Sequence, residues 1–463
     1  MSDPGAGFRE VRFFVLSAAL FGAAFLFLTP PFHVPDEPDH FFRSYQVSEG
    51  RWRGETRLGD GRRAAGGHLP ASLLAVSELF TADVRFDPDR TIAWRSFRDG
   101  FSLPLRPRER RFLDFSATVL YSPTAYAPQA LAVLAGRLAG APPLVLLYLA
   151  RVFNLAVWIA LVAAAIRIIP VFRRGLALLA LLPMSLSQAA SASADALANG
   201  SAFLFIALVL DTAVGPPRTI TTKRWLVLGL LSAALVLCKP VYAVLPLFIG
   251  IIPASKAGSK KRLAAGFALI MIVSLAIPAA WSWASSSTSV PLQPAADARG
   301  QISFIRNQPL LFLSILADSF FRNSTIYLRE FVGQLGWLDV TLWFPLVVAV
   351  FIALWLAVLA DGREDVRISV GQKALSLGIF ASGVFLVLSS IYIVWNPVGA
   401  PAIEGAQGRY LIPFAPLLFL AAYNRGTWWN LRRLPRLRLG LACLSLCVLA
   451  YALMMVVLRF YRL

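Results

Sequence analysis

Apolar residues in this chain come in long, nearly unbroken runs rather than at the i, i+3, i+4 spacing of a helix lying on a soluble core. The runs cover residues 11–29, 144–169, 175–192, 198–213, 225–253, 264–283, 340–361, 374–394, 410–424 and 439–458. A helix needs about 20 apolar residues to cross the hydrocarbon of a bilayer, so most runs predict one crossing each. Run 225–253 has Lys223-Arg224 before it and Lys256, Lys260, Lys261 and Arg262 after it, so it must leave and return on the same side. It therefore predicts two short helices turning at Cys238-Lys239-Pro240, and arms that short suit a protein-walled cavity better than open lipid. The segment 119–141 is apolar but carries Gln129 and Arg137, and a full crossing there would invert every later basic loop. It is read as an amphipathic helix on the surface or re-entering it. The resulting fold class is an all-α polytopic membrane protein of about eleven transmembrane helices.

Charge sets the orientation. Lys and Arg outnumber Asp and Glu by 44 to 25, a formal net charge of +19, but they are dispersed among the loops and form no basic nucleic-acid-binding domain. Five basic loops, Arg173-Arg174, Arg218 with Lys223-Arg224, Lys256 with Lys260–Arg262, Arg363 to Lys373, and Arg425 to Arg438, are expected in the cytoplasm together with the N-terminus. The other face then receives a large first outer loop, 30–143, containing juxtamembrane helices, a second large outer loop, 284–339, and the loop 395–409. Residues 1–463 are read as one integral membrane domain without internal repeats. The hydrophobic content of 57% and mean hydropathy of +0.66 agree with lipid as the main solvent. The first run ends in Thr29-Pro30-Pro31 with no Ala-x-Ala cleavage pattern and is read as a retained helix. Cys238, Cys443 and Cys447 all lie inside apolar runs, which argues against a disulfide framework or a cysteine zinc site.

Chemistry is densest directly after the first run, in Pro35-Asp36-Glu37-Pro38-Asp39-His40. Prolines stiffen a cluster of carboxylates beside the membrane surface, where scarce water strengthens charge interactions. An acid so held can serve as a general base or bind a divalent cation; the competing reading is a helix N-cap. His33, His40 and His68 share this loop, but their spacing fits no standard zinc pattern. A metal, were one bound, would be magnesium or manganese on Asp36, Glu37 and Asp195. Other ionisable or polar residues collect at the outer ends of the runs: Arg151 and Asn154, Gln188, Asp195 and Asn199, and Lys239 with Tyr242. Gly336-Trp337-Leu338-Asp339 and Gln407-Gly408-Arg409-Tyr410 precede two later runs. Arg409 is the stronger of these signals, because a guanidinium entering an apolar run after a glycine suits a phosphate at the membrane surface. Each has a bland alternative in interhelical hydrogen bonding or snorkelling.

In order, Pro35-Asp36-Glu37-Pro38-Asp39-His40, Tyr121-Ser122-Pro123 through Tyr126-Ala127-Pro128-Gln129, Lys239-Pro240-Val241-Tyr242, Gly336-Trp337-Leu338-Asp339 and Gln407-Gly408-Arg409-Tyr410 resemble a bacterial membrane family, domain of unknown function 2142. The arrangement also resembles the wider glycosyltransferase-C superfamily. That resemblance implies a transfer of sugar from a polyprenyl-phosphate carrier to a glycan or lipid acceptor on the outer face of the bacterial inner membrane, with inversion. It implies Asp36 as the catalytic base with Glu37 beside it, and Asp195 as the acid of the second outer turn. Asp39, His40, Tyr121, Gln129, Arg151, Lys239, Tyr242, Asp339, Gln407, Arg409 and Tyr410 would bind donor or substrate, with Lys239 and Arg409 on the carrier phosphate. No Gly-rich phosphate loop is present, in keeping with a lipid-borne donor. The alternatives are a lipid or polysaccharide flippase, for which polar residues belong at mid-bilayer, and a scaffold, which needs no carboxylate cluster.

Overall fold

The computed structural model describes residues 4–59, 62–216, 218–361, 366–424 and 435–461. The chain is mostly helical. Helix α1 (Pro4–Leu28) runs to Pro30-Pro31, where two successive prolines stop it, and α2 (Glu37–Ser48) follows at once. Segment 30–143 then folds with more than the expected helices. Strands β1 (Glu55–Gly59), β2 (Arg62–Pro70) and β3 (Arg110–Asp114) form an antiparallel sheet in that order, with Glu55 opposite Gly66 and Gly66 opposite Asp114. Around it lie α3 (Ala71–Thr81), α4 (Trp94–Ser102) and α5 (Ala127–Leu138). With 12 residues, α5 is about 18 Å long, too short to cross a bilayer.

The bundle continues with α6 (Pro143–Ile168), α7 (Arg173–Ala180), α8 (Pro183–Ala189), α9 (Asp195–Val214) and α10 (Thr222–Cys238). Pro183 explains the break between α7 and α8, since its nitrogen has no proton to give and its ring blocks a continuous helix. Beyond α10, Pro240 opens a tightly wound 3-10 segment, Pro240–Ile251, which contains Pro246. Next come α11 (Ala254–Ala257), α12 (Lys260–Ser285), α13 (Ala298–Asn307), α14 (Pro309–Arg322) and α15 (Ser324–Val332). A two-stranded hairpin, β4 (Gln334–Leu335) and β5 (Val340–Thr341), precedes α16 (Phe344–Ala360) and α17 (Val370–Trp395). Ser369 starts α17 with a capping box, its side chain accepting from the backbone of Gln372 while Gln372 accepts from the backbone of Ser369. The 3-10 segment Gly408–Phe414, α18 (Ala415–Ala421) and α19 (Pro435–Phe460) complete the chain.

Six helices among the described residues are long and apolar enough to cross a membrane: Phe8–Leu28, Pro143–Ile168, Asp195–Val214, Lys260–Thr288, Val370–Trp395 and Arg436–Phe460. The other apolar runs form shorter elements: the broken α7–α8 pair, α10, Pro240–Ile251, α16, and Gly408–Phe414 with α18. The short arm Pro240–Ile251 buries Tyr242, Val244, Leu245, Phe248 and Ile249, so protein walls it as its length required.

Contacts gather at two ends of the bundle. At one end Arg174 pairs with Glu10, Lys256 Nζ donates to the carbonyls of Gly215 and Pro216, and the Gln372 side chain donates to Ile251. The basic loops 173–174, 218–224 and 256–262 therefore lie together, with Arg367 and Lys373 beside them; residues 363–365 and 425–434 of the remaining two basic loops are outside the described residues. At the opposite end lie the sheet, α2, and the starts or ends of α6, α9 and α10. All the candidate chemistry sits there.

Candidate functional site

The ordering centre of this end is a pair with no solvent contact. Glu37 and Arg151 are both fully buried, and Arg151 donates to the Glu37 carboxylate at 2.8 and 2.5 Å. Its remaining N–H groups go to the carbonyls of Leu26, Thr29 and Pro30, the fraying end of α1. Glu37 in turn accepts from the backbone N–H of Phe32 at 2.9 Å and of Ala192 at 3.0 Å. Every guanidinium donor and both carboxylate oxygens are thus taken by protein. Glu37, expected beside the base, and Arg151, expected on the donor, spend these groups on each other and on backbone, and together they tie α1, α2, α6 and the turn before α9.

That turn, 190–194, is clamped from three sides. Besides Glu37, the Asn154 amide donates to the carbonyls of Ser191 and Ser193 at 2.7 and 2.8 Å, and Gln129 donates to Ser193 at 3.1 Å. Gln129 therefore holds backbone rather than substrate. What the clamp presents is Asp195, the first residue of α9, only 4% exposed.

From Asp195 a string of alternating charges runs toward solvent. Its carboxylate pairs with the Lys239 ammonium at the end of α10, accepts from Gln188 at 2.9 Å, and lies 3.8 Å from Arg409. Gln188 in turn accepts from Asn199 at 3.2 Å. Arg409 donates through Nε to Gln407 at 2.5 Å and through Nη2 to Asp36 at 3.1 Å. Its buried Nη1 has no hydrogen-bond partner among the described residues. The order is Lys239, Asp195, Arg409, Asp36; the first three are buried, Arg409 keeping 2% of its side-chain surface, and only Asp36, at 42%, opens to solvent. Tyr410 lies against both cations, with Lys239 Nζ 4.8 Å and the Arg409 guanidinium 5.2 Å from its ring. Gly408 makes this seat possible, because a Cβ there would stand 1.9 Å from the Tyr327 carbonyl oxygen. Its N–H donates to Glu330 at 2.7 Å, which fixes the 3-10 segment on α15.

Behind Asp36, Asp39 is one helical turn on, partly buried, and its carboxyl is pushed up to about 8 by burial and by the neighbouring charges of Asp36 and Asp114, against the opposing pull of Arg85. His40 is buried and lowered to about 4, so it is neutral; it hydrogen-bonds the Tyr126 hydroxyl at 2.8 Å and stacks on Tyr121. Arg43 holds the backbone of Tyr121 at 3.0 Å, and the Tyr121 ring lies 5.9 Å from Lys239 Nζ. His33 donates from Nε2 to the Phe80 carbonyl, while His68 faces Glu55 on the sheet, so the three histidines serve three different places.

Two further expectations are corrected. Asp339 joins Arg459 at 2.7 Å, and Arg459 donates to the carbonyls of Val84, Asp87 and Arg90, so this pair fastens the 84–90 loop to the end of α19 and is not itself a member of the charge string. Tyr242 is 1% exposed and packs edge-on against Phe414, so it lies buried beside Lys239 without a face open to solvent. Asp36, Glu37 and Asp195 do not converge as metal ligands, because each already faces its own cation: Arg409, Arg151 and Lys239 respectively. No group of three or more His, Cys, Asp or Glu side chains able to hold a metal ion occurs among the described residues. Residues that sequence reasoning missed include Glu330, Arg459 and Arg85, none of which stands in a recurring or proline-bounded pattern.

Backbone strain marks the same region. Five of the described residues other than glycine have positive φ, and four of them, Phe32 (66°), Asp36 (63°), Phe86 (64°) and Leu338 (66°), surround this site. Such positions cost about 1–3 kcal/mol each and persist where the surroundings over-determine them, as at binding and active sites.

The chain belongs to the family described as predicted membrane protein (DUF2142), whose sequence model matches residues 19–418. No curated protein and no solved structure matches it.

Proposed function

We propose that this family member is a membrane glycosyltransferase of the glycosyltransferase-C kind, moving a sugar from a polyprenyl-phosphate carrier to a glycan or lipid acceptor. The observation that carries the reading is the charge string: two cations, Arg409 and Lys239, at one end of an apolar bundle, with a carboxylate, Asp36, at its open end. Arg409 Nη1, which makes no hydrogen bond among the described residues and has the Asp195 carboxylate 3.8 Å away, is the donor offered to the carrier phosphate. Arrival of the phosphate takes Nη2 of Arg409 as well and frees Asp36. An acceptor hydroxyl then attacks the anomeric carbon, Asp36 receives its proton, and the carbon–oxygen bond to phosphate breaks with its electron pair on the phosphate, held by Arg409 and Lys239. Attack opposite the leaving phosphate inverts the anomeric centre. The charge string and the clamped turn before α9 gather at one end of the bundle, which favours transfer over flipping.

The same reading places the basic end in the cytoplasm and the site on the outer face of the bacterial inner membrane. It counts the short elements α7–α8, α10, Pro240–Ile251, α16 and Gly408–Ala421 with the six long helices as eleven crossings. In a cysteine-free background, membrane-impermeant reagent should label Ala402→Cys and not Ser255→Cys; labelling of Ser255→Cys from outside refutes the orientation. For the chemistry, Asp36→Asn should leave folding unchanged and lower transfer by about 10²–10⁴. Wild-type transfer by Asp36→Asn overturns the enzymatic reading.

A further inference from the structure

Arg85 and Phe86 lie in the loop between α3 and α4, and nothing in the mechanism above uses them. Phe86 is 69% exposed, an unusual setting for a large apolar ring, and it sits in the left-handed region at φ 64°. A solvent-facing phenylalanine gains nothing from that backbone by itself, so the loop is held there by other means. Those means are visible: Arg459 donates to the carbonyls of Val84 and Asp87 on either side, at 3.3 and 2.9 Å. The Phe86 ring meets Trp337 at 5.4 Å between centroids, with the planes 65° apart. Trp337 is fixed in turn, its indole N–H donating to the Phe32 carbonyl at 3.0 Å, and its hairpin is held by Gln334, which donates to Leu338 at 2.7 Å.

The Arg85 guanidinium lies flat against this pair, 3.7 Å from the Trp337 ring and 4.7 Å from the Phe86 ring. It makes no hydrogen bond or ion pair among the described residues, so its donors are unspent. Trp337 beneath it donates to Phe32, whose own N–H donates to Glu37, the residue after Asp36, so the guanidinium stands beside the open end of the charge string, where its charge acts on Asp39 and Asp36. An exposed aromatic face, a second ring at an angle to it, and a stacked guanidinium with free donors form a surface suited to a pyranose or furanose. The C–H face of the sugar covers the ring, and its hydroxyls take the guanidinium hydrogens. Phosphate is a poorer fit, since the adjacent guanidinium of Arg459 is already spent on Asp339 and on the carbonyls of Val84, Asp87 and Arg90.

We propose that Phe86, Arg85 and Trp337 form a saccharide-binding subsite that holds the acceptor glycan against Asp36. The identification of the ligand as acceptor rests on the transferase reading; the binding of saccharide does not. The residues come from two segments far apart in sequence, and each is immobilised by a contact unrelated to any ligand. That is how a binding surface is preorganised.

The test uses the full-length protein in lipid nanodiscs without donor, with free oligosaccharides of glucose, mannose, galactose and arabinose as probes, read by saturation-transfer NMR. At least one probe should bind the wild-type protein. Phe86→Ala should weaken it about two- to tenfold, the range for loss of one aromatic contact, and Phe86→Tyr should restore it. Arg85→Ala should weaken it as well. Phe86 is too exposed for its truncation to unfold the protein, and an unchanged melting midpoint verifies this. Unaltered binding by Phe86→Ala, failure of every probe to bind wild-type protein, or a loss seen only with polyprenyl-phosphate sugar overturns the subsite. If Phe86→Ala loses saccharide while Asp36→Asn still transfers sugar, the subsite stands and the transferase reading falls.

Discussion

Glu37→Gln separates the architecture of this site from its chemistry, because it removes one charge and keeps the volume. In the native arrangement both Glu37 oxygens are fully used: one accepts from Arg151 Nε and the Ala192 N–H, the other from Arg151 Nη2 and the Phe32 N–H. A glutamine can reproduce only one of those oxygens. Its amide nitrogen then faces two donors, so one charge-assisted bond and one backbone bond are lost, and Arg151 keeps an uncompensated charge at zero exposure. Breaking a buried pair in this way costs about 3–5 kcal/mol. The assay is the melting midpoint of purified protein followed by intrinsic fluorescence in detergent, with chemical denaturation as a check. Asp36→Asn, whose side chain is 42% exposed, should lose at most about 1 kcal/mol by the same measurement. Arg151→Met combined with Glu37→Gln should cost less than the two singles added together, since the double variant leaves no orphaned charge. A Glu37→Gln protein that melts with wild type while losing all transfer would refute the structural assignment and return Glu37 to the reaction.

Asp39 is raised from 3.8 to about 8, so the native state keeps its proton over a range in which the unfolded chain has lost it. Its contribution to stability is fully present below the unfolded value and declines as pH rises toward 8; Asp39→Asn should therefore flatten the fall of melting midpoint between pH 4 and 8, and an unchanged pH profile would contradict this. Gly408→Ala should destabilise by about 1–3 kcal/mol and displace Arg409, because the new methyl meets the Tyr327 carbonyl; a normal melt with normal donor affinity would show that the segment yields. Arg409→Ala and Lys239→Ala should both weaken binding of a polyprenyl-phosphate donor, and Arg409→Lys should not restore it, since an ammonium cannot reach Gln407, Asp36 and phosphate together. Equal donor affinity in both alanine variants would leave the cations with a packing role alone.

The long apolar runs announced the helices closely: runs 144–169, 264–283 and 374–394 became α6, α12 and α17 with ends shifted by a few residues. Length in lipid is so strong a constraint that composition alone carries it. The turn at Lys239-Pro240 was equally legible, because charge bias and a proline agreed. The sheet of 55–114 was not, since β1 and β2 are rich in Arg and Gly and show no alternation of apolar residues. Among the candidate site residues, sequence collected side chains that the fold does bring to one end of the bundle, but it could not divide labour within them. Glu37, Gln129 and Arg151 look as reactive on paper as Asp36 and Arg409; what separates them is which hydrogen bonds are already made, and that depends on partners more than a hundred positions away for Glu37 and Arg151. Glu330 and Arg85 carry no local signal at all, because their meaning lies in Gly408 and Trp337 respectively.

The charge string also bears on when Asp36 is free to act. Lys239, Asp195, Arg409 and Asp36 sum to zero, and at rest the Asp36 carboxylate is engaged by the Arg409 guanidinium. In the proposed reaction the carrier phosphate competes for that same guanidinium, so seating the donor is also what releases the carboxylate. The leaving group thus unlocks its own base, and an acceptor or water that arrives before the donor meets an aspartate still occupied by its cation.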